Sequence, residues 1–295
     1  MQHAVLITAY KNLHHLEKMM DALGTPFQFY IQFDKNAPFS YEDGLLVRDW
    51  ENKKAVSFHR DIPVNWAGFN HLRAMLRLME EGLKNRENQV FHLISGQDFP
   101  IKSGEAIVRF FEENPDKQYM ENFVMPAAHW SEGGMHRVLY WHFYDWFNNK
   151  KSFGGFTNKV VNKIQRTFRI KRRWPKLLPP LHGGGSWWSI TRPCAEYIVR
   201  YAKRNLSLLH RLKFTLCPEE IYFQTVVMNS SFASQVVNDH KRYIDWESRN
   251  GNSPANLDLS DLEKVMRSDK LFARKFEYPV SEKLCSVITG QLKAT

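Results

Sequence analysis

Glu219 and Glu220 directly follow Pro218, whose fixed backbone suits the first turn of a helix. A carboxylate there either complements the helix dipole or, facing a cleft, acts as general base toward an attacking hydroxyl. The pattern alone leaves both roles open. Near the C-terminus, Phe272-Ala273-Arg274-Lys275-Phe276 sets two cations between aromatic anchors. Such a pair is either an exposed basic patch or a device that neutralises a leaving diphosphate, work otherwise done by a divalent metal. Asp34 closes an apolar, strand-like run. It reads either as the Asx-turn residue of Asp-Lys-Asn-Ala-Pro or as an acceptor for a ribose or base. Trp187-Trp188, after Gly183-Gly184-Gly185, offers aromatic walls for a sugar. Neighbours on a strand point to opposite faces, so one tryptophan is expected in the core and one at the surface.

Absent patterns narrow the chemistry further. The sequence contains no Gly-x-Gly-x-x-Gly, no phosphate-cradling Gly-Lys-Ser/Thr loop, no Gly-x-Ser-x-Gly and no HExxH. It also lacks Asp-x-Asp, and Ser95-Gly96-Gln97-Asp98 stands where a metal-dependent nucleotide-sugar transferase would carry that motif. The histidines, among them His14, His15, His136, His142 and His182, share no ligand spacing with a cysteine or carboxylate and read as packed or exposed. Cys194, Cys217 and Cys285 form no CxxC and point to a reducing compartment without structural zinc. No metal and no cofactor are expected. A strong remaining class is the nucleotide-sugar transferases, and without Asp-x-Asp cationic side chains would have to hold the diphosphate.

Elements must bring these scattered residues together. Ala4 to Ala9 reads as a buried parallel strand. Leu13, Leu16, Met19, Met20 and Leu23 recur at helical spacing up to Gly24, and Phe27 to Phe33 reads as a second strand. The pattern repeats with a short strand at Ala55 to Phe58, an amphipathic helix after Trp66 carrying Leu72, Met75, Leu76, Leu78 and Met79, and a strand at Val90 to Ile94. Alternation of this kind predicts an α/β sheet whose ligand site lies at the strand C-terminal ends, beside Asp34 and the Ser95–Asp98 loop. The second half carries an aromatic run from Tyr140 to Phe147, a strand at Trp187 to Ile190, and helices from Pro193 to Arg204 and after Pro218. With no repeat and no linker-like segment, a single domain is expected over 1–295. Residues 1–120 form its nucleotide-sugar-binding half, and 121–295 its acceptor-binding and catalytic half.

Charge is concentrated. The chain has 41 Lys+Arg against 31 Asp+Glu and a formal charge of +10, yet no acidic residue lies between Asp145 and Glu196 while eleven cations do. Outside that stretch thirty cations face the 31 acidic residues. Within 150–176, Val160, Val161, Ile164, Phe168 and Ile170 alternate with lysines and arginines. This partly amphipathic pattern suits either docking on an anionic inner membrane leaflet or a solvated basic helix. A rival reading makes the protein a non-catalytic binder of nucleic acid or anionic surfaces, with Trp141, Tyr144, Trp146 and Phe147 nearby for stacking. It gives no reason for the Glu220 and Lys275 patterns, so no nucleic-acid partner is expected. The N-terminal apolar run is too short for a signal peptide, and no run of about eighteen apolar residues occurs, so a soluble or at most peripheral protein is expected.

Eight stretches, in order, resemble one glycosyltransferase family, the core-2/I-branching N-acetylglucosaminyltransferases and peptide O-xylosyltransferases. They are HAVLITAYKN (3–12), YIQFDKN (30–36), NWAGFNHLRAMLRLM (65–79), FHLISGQDFPIKS (91–103), GGGSWWSITR (183–192), CPEEIYFQTVVMNS (217–230), RYIDW (242–246) and LFARKF (271–276). The resemblance implies a GT-A-type fold with a mixed, mostly parallel central sheet flanked by helices. It also implies inverting, metal-independent transfer from a UDP-sugar, N-acetylglucosamine favoured and xylose second. On this basis Glu220 falls on the catalytic base with Glu219 beside it, Lys275 on the diphosphate-binding lysine, and Asp34 on the nucleoside contact. Further donor contacts are expected in the matched stretches at Thr8, Tyr10, Trp66, Ser95, Gln97, Asp98, Ser186, Trp187 and Arg274. Acceptor contacts are expected at Glu121, Trp130, Arg137 and Glu219.

The chain departs from the family in two respects. A further diphosphate-contacting arginine of the animal branching enzymes has no counterpart between Gly251 and Leu259, so Arg274 or Arg249 is expected to substitute. Neither the membrane anchor nor the many disulfides of secretory-pathway members are expected here. A bacterial relative is therefore expected, cytoplasmic or peripheral on the inner face of the cell membrane, adding sugar to a glycan or lipid-linked glycan of a surface polysaccharide.

Overall fold

The computed structural model of the protein describes residues 1–53 and 55–293. β1 (Gln2–Ala9) and β2 (Phe27–Phe33) run parallel, joined by the helix Leu13–Leu23, and β3 (Val56–His59) pairs parallel to β2. The amphipathic helix Phe69–Lys84 leads to β4 (Asn88–Ser95), which lies parallel on the other side of β1. Strand order reverses there, and in open α/β sheets a crevice forms beyond the strand ends at such a reversal.

After β4 come β5 (Asp98–Pro100), β6 (Gln118–Met120), β7 (Phe123–Val124), β8 (His182–Gly183) and β9 (Trp188–Thr191). Last are β10 (Val236–Val237), β11 (Arg242–Ile244) and β12 (Phe272–Arg274). The central sheet has the order β10-β6-β9-β4-β1-β2-β3, with β9 antiparallel between β4 and β6 and the other neighbours parallel. It is the mixed, mostly parallel sheet expected. β7 and β8 form an antiparallel pair, and β12 pairs parallel with β11 and antiparallel with β5.

Alternation along β1 feeds two cores. Val5 and Ile7 join Leu16, Met19, Phe29 and the C-terminal Leu284 and Ile288, while Ala4 and Leu6 join Leu72, Met75, Trp188, Ile198 and Phe223 on the opposite face. Both faces are covered, which is why the strand reads as an unbroken apolar run.

One expectation fails here. Trp187 and Trp188 are both buried, at 9% and 0% exposure. Trp187 precedes β9, so strand alternation does not govern it. Boundaries move slightly elsewhere: the strand expected from Ala55 begins at Val56, and the helix expected from Pro193 begins at Arg192.

Arg242 is fully buried, donating to Ser189 Oγ (2.9 Å), Leu93 O (3.0 Å), Trp188 O (2.9 Å) and His240 O. It joins β4, β9 and β11, and burial pushes its guanidinium down to about 9. Among the described residues, no helix is long and apolar enough to cross a membrane.

Candidate active site

The helix Glu219–Met228 presents its first turn to the crevice, with Pro218 at its N-cap at φ −64°. Two non-glycine residues are held at positive φ beside it, Cys217 at 48° and Ala67 at 65°, and the Cys217 N–H donates to Ala67 O at 3.1 Å. Such conformations persist where surrounding contacts over-determine them. Here they lock the loop before the helix Phe69–Lys84 to the start of Glu219–Met228.

The two glutamates part ways. Glu220 remains 26% exposed, within reach of a substrate, and its carboxylate pairs with the Arg137 guanidinium while Ser186 Oγ donates to Oε1 at 3.4 Å. Burial, and then the neighbouring Glu219, push its carboxyl above the usual carboxylate range, against the pull of Arg137. Arg137 lies 3.7 Å over the Trp130 ring. Glu219 turns inward at 4% exposure, with Oε1 3.2 Å from His71 Nδ1 and Oε2 buried without a partner among the described residues. His71 Nε2 in turn lies 3.2 Å from Thr8 Oγ1 at the end of β1. A hydrogen bond donated by Nδ1–H to Glu219 leaves Nε2 to accept from Thr8 Oγ1.

Cations gather at the other end of the crevice. Arg274 lies 4.4 Å over the Trp187 ring, with Nε 3.6 Å from Asp98 Oδ1. Trp187 is the chain neighbour of Ser186, which contacts Glu220, so one run of contacts connects the cations to the carboxylate. Lys275 is partly buried and has no ion pair among the described residues. Burial, followed by Arg274, Lys11 and Lys150, pushes its ammonium below the usual lysine range, with Glu277 opposing. Lys11 and Lys150 flank the Tyr10 ring at 5.3 and 5.0 Å. Glu277 takes Lys11 at 2.6 and 2.7 Å and also accepts from Gln97 Nε2. Beside them, at the ends of β1 and β2, lies an open cleft of about 390 Å³ lined by Tyr10, Lys11, Asn12, Phe33, Pro38 and Asp43.

The structure thus gathers Glu220, Arg137, Trp130, Ser186, Trp187, Arg274 and Lys275 into one run of contacts, with Thr8 and Glu219 joined through His71. Asp34 spends Oδ1 on the Asn36 and Val64 N–H groups, at 3.0 and 2.9 Å, as an Asx-turn residue does. Oδ2 has no partner among the described residues. Trp66 is 55% exposed on the loop next to Ala67. Three expected contacts are already engaged within the protein. Asp98 is fully buried, accepting from the Ser95 N–H, with Oδ1 3.6 Å from Arg274 Nε. Ser95 Oγ accepts from the Gln97 N–H at 3.2 Å. Glu121 Oε2 accepts from the Gly185 N–H at 2.7 Å and braces the glycine run. Arg249, the alternative to Arg274, is bound instead by Asp245, Asp258 and Asp261.

His71, Lys11, Lys150 and Glu277 were not foreseen. His71 and Lys11 lie inside matched stretches, and Lys150 opens the basic segment, but only the fold brings them to the site.

Among the described residues, Cys217, Glu219 and Glu220 converge with ligand atoms within 4.8 Å. They suit a divalent ion poorly. Arg137 already neutralises Glu220, and burial with the two carboxylates pushes the Cys217 thiol well above its ordinary value, so it stays protonated.

Comparison with known proteins adds the family. The model described as "Core-2/I-Branching enzyme" matches residues 4–266. Xylosyltransferase 2 of Canis lupus familiaris is 24% identical over 294 residues, covering 90% of this chain and 30% of that protein. Xylosyltransferase of Ciona intestinalis is 24% identical over 282 residues with the same coverage. The chain therefore spans about a third of the length of these relatives. A solved glycosyltransferase involved in glycosylating the major capsid of PBCV-1 aligns with 99% of this chain and 100% of its own at 8% identity and a TM-score of 0.37, too low to carry an argument.

Proposed function

The chain belongs to the core-2/I-branching enzyme family, and from that premise we propose that it is an inverting glycosyltransferase moving a sugar from a UDP-sugar to an acceptor hydroxyl without a metal ion. Glu220 accepts the proton as the acceptor oxygen attacks the anomeric carbon. The bond from that carbon to the diphosphate oxygen breaks in the same displacement, inverting the configuration. Negative charge growing on the departing diphosphate is met by Lys275 and Arg274, with Lys11 and Lys150 close by.

The observation that carries this reading is the run from Lys275 and Arg274 through Trp187 and Ser186 to Glu220. It links Lys275, a cation with no ion pair among the described residues, to a carboxylate held above the usual carboxylate range. The cleft beside Tyr10 and Phe33 supports a nucleoside site at the strand ends. The relatives' name, xylosyltransferase, favours xylose, and the branching enzymes of the family favour N-acetylglucosamine. The acceptor proposed is a glycan or lipid-linked glycan of a bacterial surface polysaccharide, with Glu121, Trp130, Arg137 and Glu219 as its candidate contacts. Incubating the protein with UDP-xylose, UDP-N-acetylglucosamine and other UDP-sugars plus an acceptor extract, with and without EDTA, tests the proposal. One donor should release UDP at the same rate in EDTA; release that requires added manganese would refute the metal-free reading.

A further inference from the structure

We propose that the helix Ser152–Thr167, with the turn that follows it, is a docking surface for an anionic lipid bilayer. The helix is mounted inside out. Its buried residues are Gly154, Asn158 and Gln165. Asn158 Nδ2 donates to Phe147 O at 2.8 Å, and Gln165 both donates to Trp141 O at 3.0 Å and accepts from the Trp141 N–H at 2.8 Å. A Cβ on Gly154 would come within 2.2 Å of Asn148 O, so the glycine lets the helix seat closely.

Its apolar residues face outward: Phe153 (74% exposed), Phe156 (68%), Val160 (38%) and Ile164 (47%), continued past the helix end by Phe168 and Ile170. Steps of three and four residues place the first four in one stripe along a helix about 24 Å long. A surface helix of a soluble domain normally turns this stripe to the core.

Charge identifies the occupant. Lys159 and Lys163 lie alongside the stripe. They and Lys151, Arg169, Lys171, Arg173 and Lys176 are exposed, without an ion pair among the described residues. A second copy of this chain would bring like charges together across the stripe. A nucleic acid would use the cations but leave Val160, Ile164 and Ile170 in water. An anionic bilayer takes both parts, apolar side chains below the headgroups and cations among them. The inference rests on this surface and not on donor chemistry, so vesicle binding tests it without sugar transfer.

The experiment is flotation of the full chain with vesicles of mixed phosphatidylglycerol and phosphatidylcholine, and with phosphatidylcholine alone. The protein should float with the mixed vesicles and stay behind with neutral ones. The double variant F153S/F156S should weaken partitioning more than about tenfold, and K159Q/K163Q about fivefold per lysine. Both should keep the wild-type melting temperature, since the changed side chains are exposed. Equal recovery on both vesicle types, or unchanged partitioning of F153S/F156S, would overturn the proposal. So would a lipid-free dimer dissociated by F153S/F156S, or binding to a single-stranded oligonucleotide without binding to vesicles.

Discussion

Glu220 must be ionised to take a proton, and burial with Glu219 beside it holds its carboxyl above the usual carboxylate range. Activity is therefore expected to rise with pH through an acid limb above that range, read as log kcat/KM against pH. Arg137 stabilises the ionised form, so Arg137→Gln should move the limb to higher pH, and an unmoved limb would contradict the pairing. At the other end, Lys275→Gln should weaken UDP binding about tenfold or more, the scale of a lost hydrogen bond to a charged group. Because the Lys275 ammonium lies below the usual lysine range, UDP affinity should fall on the alkaline side earlier than an exposed lysine would allow. Titration calorimetry across pH checks both points. Glu220 and Lys275 could be singled out in the sequence because each sits in a local pattern, while the roles proposed for them came from the family resemblance. His71 was not, since its link to Glu219 spans 148 residues and exists only once the helix Phe69–Lys84 packs beside Glu219–Met228.

At the level of elements, the glycine run before β9 sets the distance between the two halves of the site. A Cβ on Gly184 would lie 2.0 Å from Glu121 O, and the Gly184 N–H donates to Glu220 O at 3.0 Å. Gly184→Ala should cost about 1–3 kcal/mol as the backbone is forced apart, lowering both the melting temperature and kcat. Gly290, in the helix Glu282–Lys293, meets nothing within 4 Å. Gly290→Ala should stabilise by about 0.5–1 kcal/mol and leave kcat alone. Differential scanning calorimetry with activity assays separates the two. Both the βαβ opening and β4 could be read from the sequence because their apolar runs fill two cores. The two-residue strands β7, β8 and β10 were not foreseen, because their pairing partners lie far along the chain and two residues carry no period. The position of Trp187 escaped for a related reason: alternation holds only inside a strand, and the tryptophan lies one residue before it.

For the whole molecule, buried histidines, His3, His92 and His142 among them, set an acid limit on stability. Burial pushes His3 to about 3 and His142 to about 4, and His92, hydrogen-bonded to His3 and Ser189, well below its ordinary value. The unfolded chain protonates these rings below about 6.5 while the folded one does not, so stability is complete above that pH and is lost as pH falls toward 3–4. Each ring contributes about 1.4 kcal/mol per pH unit in that window. The melting temperature should therefore be lower at pH 5 than at pH 7.5, and a flat profile would contradict the burial of these rings. Net charge was legible as a local excess, but its use was not. Lys150 proves to stand beside Tyr10, Arg172 is buried among backbone carbonyls, Arg166 pairs with Glu132, and Lys159 and Lys163 lie on the helix that carries the outward apolar stripe. The central claim, that Glu220 performs metal-free base catalysis, is tested most directly by UDP release from Glu220→Gln and wild type side by side in EDTA. The account predicts an undiminished wild-type rate and a variant slower by about 10²–10⁴-fold; a variant as fast as wild type would contradict it.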